Sequence, residues 1–400
     1  MIFHRQFSLL QALQAKSHFL LGPRGTGKSF LIREQLAGKA AIINLLRTEA
    51  ARILTADPSK LEGIIRASLP NGSNLVVIDE VQKIPALLDE VHRLIEEQGL
   101  RFLLTGSSAR KLRARGVNLL GGRAWPMSFH PLTMAEIGPD FQLERYLRFG
   151  GLPGVVLSEN PELELDAYVG MYLEEEVKAE GLVRRLAPFT HFLRVAGLSN
   201  GRIINFSKMA NEVGVSSPTI RQYFHILEDT LSGELIPHWR KAPSRKPSSS
   251  ARFYFFDPGI ANTNAGIKHL DPASDIFGRC FEQFIYMELK AWIAYKRKRY
   301  TLTYWQRSNE CEVDFVLGDE IAIEVKSTTR LNRDDFKGLE AITSEIPVKR
   351  RILVSRDPIA SDAHGILSLP WDQFLARLWA DESGTGLLDV VDDLQRDDIQ

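Results

Sequence analysis

Short apolar runs alternate with amphipathic stretches over the first third of the chain. HFLLG (18–22), AAIINL (40–45), NLVVID (74–79) and RFLLTG (101–106) each hold a short apolar run beside polar or glycine positions, so they read as buried parallel strands. Between them, KSFLIREQLAG and IPALLDEVHRLIEEQG repeat apolar residues at helical spacing. Strand–helix alternation predicts an open, helix-covered α/β sheet. A helical stretch follows over about 132–195, carrying the turn FGGLPG at 149–154.

The pattern changes over 203–256. FSKMANEVG and SPTIRQYFHILEDT predict two helices with a tight turn at Gly214–Ser217, and LIPHW and ARFYFFD predict strands flanking the loop KAPSRKPSSS. Helix–turn–helix followed by a hairpin is the order of a winged helix. Ser216 or Ser217 suits the cap of the second helix and Pro218 its first turn. Ser217, Thr219, Arg221 and Gln222 then face outward early on it, with Arg240, Lys241, Arg245 and Lys246 on the wing, side-chain types that read or clamp duplex DNA. A second basic stretch, with Arg110, Lys111, Arg113 and Arg115, suits a DNA path or a solvated helix face.

The last third opens on a helical pattern, GRCFEQFIYMELKAWIAYK (278–296), and continues with strands at TLTYWQ, CEVDFVLG, IAIEVKS and RRILVSR. The expected division is an α/β core over 1–135, a helical lid or linker over 136–200, a winged-helix domain over 201–265, a second α/β domain over 266–380 and an acidic tail over 381–400. Hydrophobic residues make up 44% and charged residues 25% of the 400, a soluble, core-forming balance. Lys+Arg and Asp+Glu each number 50, so DNA contact has to come from local patches. The opening MIFHRQFSLLQALQ lacks the apolar core of a signal peptide, and no apolar run is long enough to span a membrane. Cys280 and Cys311 lack paired spacing, which argues against a disulfide scaffold or zinc site; a reduced, cytoplasmic protein is expected.

The strongest chemical signal is Gly22-Pro23-Arg24-Gly25-Thr26-Gly27-Lys28-Ser29, which fits G-x-x-x-x-G-K-S/T. Chance produces such a match in roughly 1–2% of chains this long, and this one also follows an apolar strand and opens a helix, as the mechanism requires. Glycines let backbone N–H groups converge on phosphates, and the cradle runs on to Phe30 at the positive end of the helix. Lys28 is expected to reach the β- and γ-phosphates of a nucleoside triphosphate, and Ser29 to ligate Mg²⁺. LVVIDE (75–80) ends in Asp79, expected to hold Mg²⁺ largely through water, and Glu80, expected to act as general base on the attacking water. Thr105, Ser107 or Ser108, at the end of the next strand, are candidate sensors of the γ-phosphate.

This order, with GGRAWPMSFHPLTMAEI, YLRFGGLPGVV, YFFDPGIAN and EVDFVLGDEIAIEVKS behind it, resembles the AAA+ ATPases over about residues 5–375. More narrowly it is similar to a prokaryotic group whose ATPase module carries a C-terminal domain of unknown function. The resemblance implies adenine as the base, self-association into rings, and Arg123 as a residue that senses or contacts the nucleotide, from its own or a neighbouring subunit; a loop arginine with no such role is the alternative.

In the last domain, Glu282 on a helix, Asp314 on a strand and Glu324-Val325-Lys326 on the next are spaced to share one site, since Val325 faces away. Carboxylates and a lysine so grouped can hold Mg²⁺ and position water for phosphodiester attack. They resemble the PD-(D/E)xK restriction-endonuclease-like superfamily, although Val313 stands where the motif has proline. The spacing alone recurs by chance in roughly one chain in ten. Three functions stay open: an ATP-driven switch or motor acting on DNA, a Mg²⁺-dependent nuclease gated by ATP, and an ATP-switched protein-interaction module with an inactive nuclease-like domain.

Overall fold

The computed structural model describes residues 2–108, 120–173, 186–241, 251–308 and 311–380. The first sheet consists of β1 (Ser17–Leu21), β2 (Ala41–Asn44), β3 (Leu75–Asp79), β4 (Arg101–Gly106) and β5 (Ala124–Ser128). Its order is β2-β3-β4-β1-β5, and every pairing is parallel. All five residues of β1 are buried, as expected of a strand with neighbours and covered faces on both sides. No strand is predicted from sequence at β5. It sits at the sheet edge, where Pro126 needs no ladder donor, and its burial does not alternate, so its sequence lacks the usual strand pattern.

The described residues of the middle region form helices at Met134–Ile137, Leu143–Phe149, Pro153–Leu157, Pro161–Ala167 and Leu186–Leu198, then helices Phe206–Val213 and Ser217–Asp229 and an antiparallel hairpin of β6 (Gly233–Pro237) and β7 (Ala251–Phe255). Ser216 caps the second of those helices by accepting from Thr219 N, and Pro218 occupies its first turn. Ile220, Tyr223, Phe224 and Leu227 recur at helical spacing and are buried.

The helix Asp275–Tyr295 leads into the C-terminal sheet: β8 (Leu302–Ser308), β9 (Cys311–Leu317), β10 (Ile321–Lys326), β11 (Arg350–Ser355), β12 (Ser361–Ala363) and β13 (Ile366–Pro370). Its order is β12-β13-β11-β10-β9-β8, with β8, β9 and β10 an antiparallel meander and β11 parallel to β10. The 275–295 helix joins the two sheets. Phe281, Phe284 and Trp292 share one continuous core with Leu20, Leu31, Leu103 and Met127 of the first sheet and its first helix. Glu288 on the same helix accepts from Met134 N and from Trp379 Nε1, each at 2.6 Å. Among the described residues, no helix is long and apolar enough to cross a membrane.

Candidate functional site

The glycine-rich segment leaves β1 and enters the helix Lys28–Leu36 at the carboxyl edge of the sheet. Gly25 and Gly27 have φ of 76° and 94°, the left-handed region that glycine enters without steric cost. No side chain caps this helix, so its first-turn N–H groups can meet an anion. Thr26 Oγ1 donates to Pro23 O at 2.8 Å, closing the loop on itself. Lys28 is buried, and its Nζ donates to Gly22 O at 2.6 Å and Pro23 O at 2.9 Å. Those carbonyls hold the ammonium inside the loop that phosphates would fill. Phe30 is half-exposed beside it.

Asp79 ends β3 almost fully buried, with both oxygens engaged. Oδ2 accepts from Ser29 Oγ at 3.1 Å and from Asn44 Nδ2 at 3.3 Å, and Oδ1 accepts from Thr105 Oγ1 at 2.5 Å. Ser29 and Asp79, the two residues expected to hold magnesium, therefore share one small space and fit a hard cation with oxygen and water ligands. Thr105 Oγ1 also accepts from Glu80 N at 3.0 Å, so one hydroxyl ties the two acids together. Glu80 has φ of 64°, a strained conformation for a residue with a side chain. Its Oε2 accepts from Gln82 Nε2, and Ser107 Oγ donates to the same oxygen at 3.4 Å.

Thr105 and Ser107 are both buried, and their hydroxyls donate to Asp79 and Glu80. Ser108 donates instead to Asp229 O at 3.3 Å, at the end of the 217–229 helix. Arg123 lies at the end of the sheet opposite the glycine loop. Ala124 is in register with Ser17 at the start of β1, whereas the phosphate loop follows Leu21 at its end, and Arg123 Nε pairs with Glu96. Asn44 and Gln82 were not anticipated. The signal for Asn44 is a polar residue closing an apolar strand, in register with Asp79.

The helical region packs on the phosphate loop from outside. Tyr168 Oη donates to Arg24 O at 3.1 Å, and a methyl-sized atom on Gly27 would meet Pro153 at 3.6 Å. Pro153 belongs to the FGGLPG turn, which Asp257 of YFFDPG holds. Asp257 Oδ2 accepts from Gly151 N at 2.8 Å, and its Oδ1 accepts from Gly259 N at 2.8 Å and Ile260 N at 3.3 Å. A side chain at Gly150 would come within 1.9 Å of that carboxylate, so only glycine fits. Burial pushes the Asp257 pKa up to about 7 despite those three donors. A cavity of about 470 Å³ separates Leu21–Pro23 from His225, Glu228 and Asp229 on the 217–229 helix.

On that helix Arg221 and Gln222 are exposed and Thr219 is half-buried, its hydroxyl bonded to Ser216. The Arg221 guanidinium stacks 4.0 Å from the Phe206 ring. Arg240 and Lys241 are exposed where the wing begins; Arg245 and Lys246, the basic stretch 109–116 and the acidic tail fall outside the described residues.

Glu282 and Asp314 meet at a residue the sequence did not flag, and Glu324 lies beside Asp314. Arg252 of β7 is almost fully buried; its Nη1 donates to Glu282 Oε1 and Asp314 Oδ1, both at 2.8 Å, and its Nη2 donates to Glu312 Oε2 at 3.1 Å. Lys326 pairs with Glu324, and Asp314 Oδ2 accepts from Val325 N at 2.9 Å. Burial, and then the neighbouring Asp314, push Glu282 up to about 7 and Glu324 well above the usual carboxylate range. Among the described residues no three His, Cys, Asp or Glu side chains are arranged to hold a metal ion. With Arg252 between the acids, the donor set does not fit a divalent cation.

Comparison with known proteins divides the chain in three. Residues 14–138 match a family described as "AAA domain", residues 140–271 a "Domain of unknown function (DUF8612)" and residues 277–371 a "Domain of unknown function (DUF4143)". An uncharacterized protein of Mycobacterium tuberculosis and one of Mycobacterium bovis are each 25% identical over 381 residues, covering 91% of this chain and 82% of theirs. A solved complex named "Structure of Drosophila ORC bound to AT-rich DNA and Cdc6" contains a chain 11% identical, matched over 65% of this chain and 89% of that one; its TM-score of 0.21 is too low to bear on fold or function. The chain thus carries at its N-terminal end an AAA domain of the P-loop ATPase type, followed at its C-terminal end by the domain of unknown function DUF4143.

Proposed function

We propose that this protein hydrolyses ATP and uses the cycle to move its middle, winged-helix-like unit on DNA. The observation that carries the reading is the cluster at the carboxyl edge of the first sheet. There Ser29, Asp79, Thr105 and Glu80 form one hydrogen-bonded chain directly beside the glycine loop. Lys28 would leave the carbonyls of Gly22 and Pro23 for the β- and γ-phosphates, an exchange of neutral acceptors for charged ones. Magnesium, held by Ser29 and through water by Asp79, would offset charge on the phosphates. Glu80 would take the proton of the attacking water at Oε1, because Gln82 and Ser107 both bind Oε2.

Two contacts support a mechanical output. Tyr168 rests on the Arg24 carbonyl, so a phosphate loop that reshapes around nucleotide is felt in the helical region. Ser108 reaches Asp229, so the strand beside the acids touches the helix whose exposed Arg221 and Gln222 would face DNA. Arg240, Lys241, Arg245 and Lys246 would contact phosphates from the wing, giving affinity that falls steeply with salt. A nuclease reading finds no support in the geometry, since Arg252 takes the oxygens a metal would need.

The test is a pair of variants assayed for nucleotide binding and hydrolysis. Lys28→Ala should lose binding, whereas Glu80→Gln should bind ATP as the parent does and turn it over at least a hundredfold more slowly. Hydrolysis by Glu80→Gln at the parental rate would remove Glu80 as the base.

A further inference from the structure

We propose that the groove along the outer edge of β5 binds single-stranded nucleic acid, with Arg297, Lys298 and Arg299 on its phosphates and Trp125 stacked on a base. Binding here needs neither ATP turnover nor the 217–229 helix.

The groove encloses about 590 Å³ between β5 and the end of the 275–295 helix. Lys290, Arg297, Lys298 and Arg299 line it, and none of the described residues lining it is a carboxylate. In a chain whose charges balance at 50 and 50, a local excess of this kind is what attracts a polyanion. Lys290 pairs with Glu234 at 2.7 Å. Arg297, by contrast, rests on neutral groups. Its Nη2 donates to His18 Nε2 at 3.0 Å, and its guanidinium lies 5.1 Å from the centre of the Trp125 ring. His18 can accept because its Nδ1 faces Lys16 O at 2.8 Å, which puts the ring proton there and leaves Nε2 its lone pair. Arg297 has φ of 53° just past the helix end, a place where glycine is usual and unstrained, yet the chain sets an arginine there.

Trp125 is 41% exposed. Among the described residues β5 pairs only with β1, so the indole stands at the sheet's edge. Every unpaired base has a ring face to lay on an aromatic side chain, whereas the bases of a duplex are stacked on one another. An exposed indole beside a row of cations therefore suits a single strand. The groove shares Ser128, His130 and Lys290 with the cavity beside Leu21–Pro23, so it leads along β5 toward the glycine loop.

The experiment is fluorescence anisotropy of a labelled oligo(dT) of about 15 nucleotides, a length within one binding site of such grooves. It uses the full, nucleotide-free chain, with circular dichroism showing that each variant is folded. Arg297→Gln with Arg299→Gln should weaken binding at least tenfold and flatten the log–log salt slope by about 1.4, two phosphate contacts' worth. Trp125→Leu should weaken it at least fivefold at an unchanged slope, and Trp125→Phe should restore most of the loss. Arg221→Ala with Gln222→Ala, on the helix proposed to face duplex DNA, should leave oligo(dT) affinity within about twofold, which separates failure of that reading from failure of this one. No binding by the parent, parental affinity in either groove variant, or a tenfold loss in the Arg221 and Gln222 variant overturns the proposal. So does displacement by polyglutamate as effective as by unlabelled oligo(dT), which would mark the groove as a site for acidic peptide.

Discussion

Thr105→Val separates a residue that positions the acids from one that touches phosphate. The change keeps the side-chain shape and deletes a hydroxyl that donates to Asp79 at 2.5 Å and accepts from Glu80 N at 3.0 Å. A hydrogen bond to an ionised carboxylate contributes about 1.5–3 kcal/mol, and a buried N–H left without a partner costs about 1–3 kcal/mol. Asp79 keeps Ser29 and Asn44 on its other oxygen, so part of its anchoring survives. Taking about 2 kcal/mol as the loss of correct placement, felt wholly in the transition state, the expected fall in kcat is about 30-fold. Affinity for ADP should stay within about threefold, because the Thr105 hydroxyl bonds the two acids and is buried behind them. Steady-state hydrolysis and calorimetric ADP binding give the two numbers, and Thr105→Ser should recover most of the rate. A Thr105→Val chain that keeps kcat and loses nucleotide affinity tenfold would refute the argument, since that is the behaviour of a phosphate contact.

Two further outcomes follow from the same geometry. Arg123 stands just before the start of β1, five residues from its phosphate-loop end, about 16 Å at strand rise, so Arg123→Ala should leave the ADP dissociation constant of the dilute chain within about twofold; a tenfold loss at nanomolar protein would place it at its own nucleotide after all. Glu288 is buried, and burial pushes its pKa up from 4.5 to about 7, so the folded chain holds this proton more tightly than the unfolded one. The stability it contributes is complete below about pH 4.5 and lost as pH rises through 7, at most about 3 kcal/mol. Thermal unfolding of Glu288→Gln should therefore decline less between pH 5 and 7.5 than that of the parent, and parallel curves would show that Glu288 does not titrate in this range.

Reading from sequence succeeded where the chemistry is local. The glycine loop, the apolar strand ending in Asp79 and Glu80, and the Ser216-capped helix depend on neighbours a few residues apart, and periodicity and turn chemistry reveal such features directly. The glycine-rich turn at 149–154 and the DPG segment at 257–259 were visible as motifs, but not as partners. That Asp257 caps the backbone of Gly151, and leaves no room for a side chain at Gly150, is a contact across more than a hundred residues.

Tertiary structure alone decided what each candidate side chain faces. It turned Thr105 and Ser107 toward the acids, set Arg123 at the far edge of the sheet, added Asn44 and Gln82 to the site and drove Arg252 into the carboxylates. The physical reason is that a residue type states which bonds a side chain can make. Which partner meets it depends on strand register and on how sheets and helices pack, and those are settled by burial summed over the whole chain.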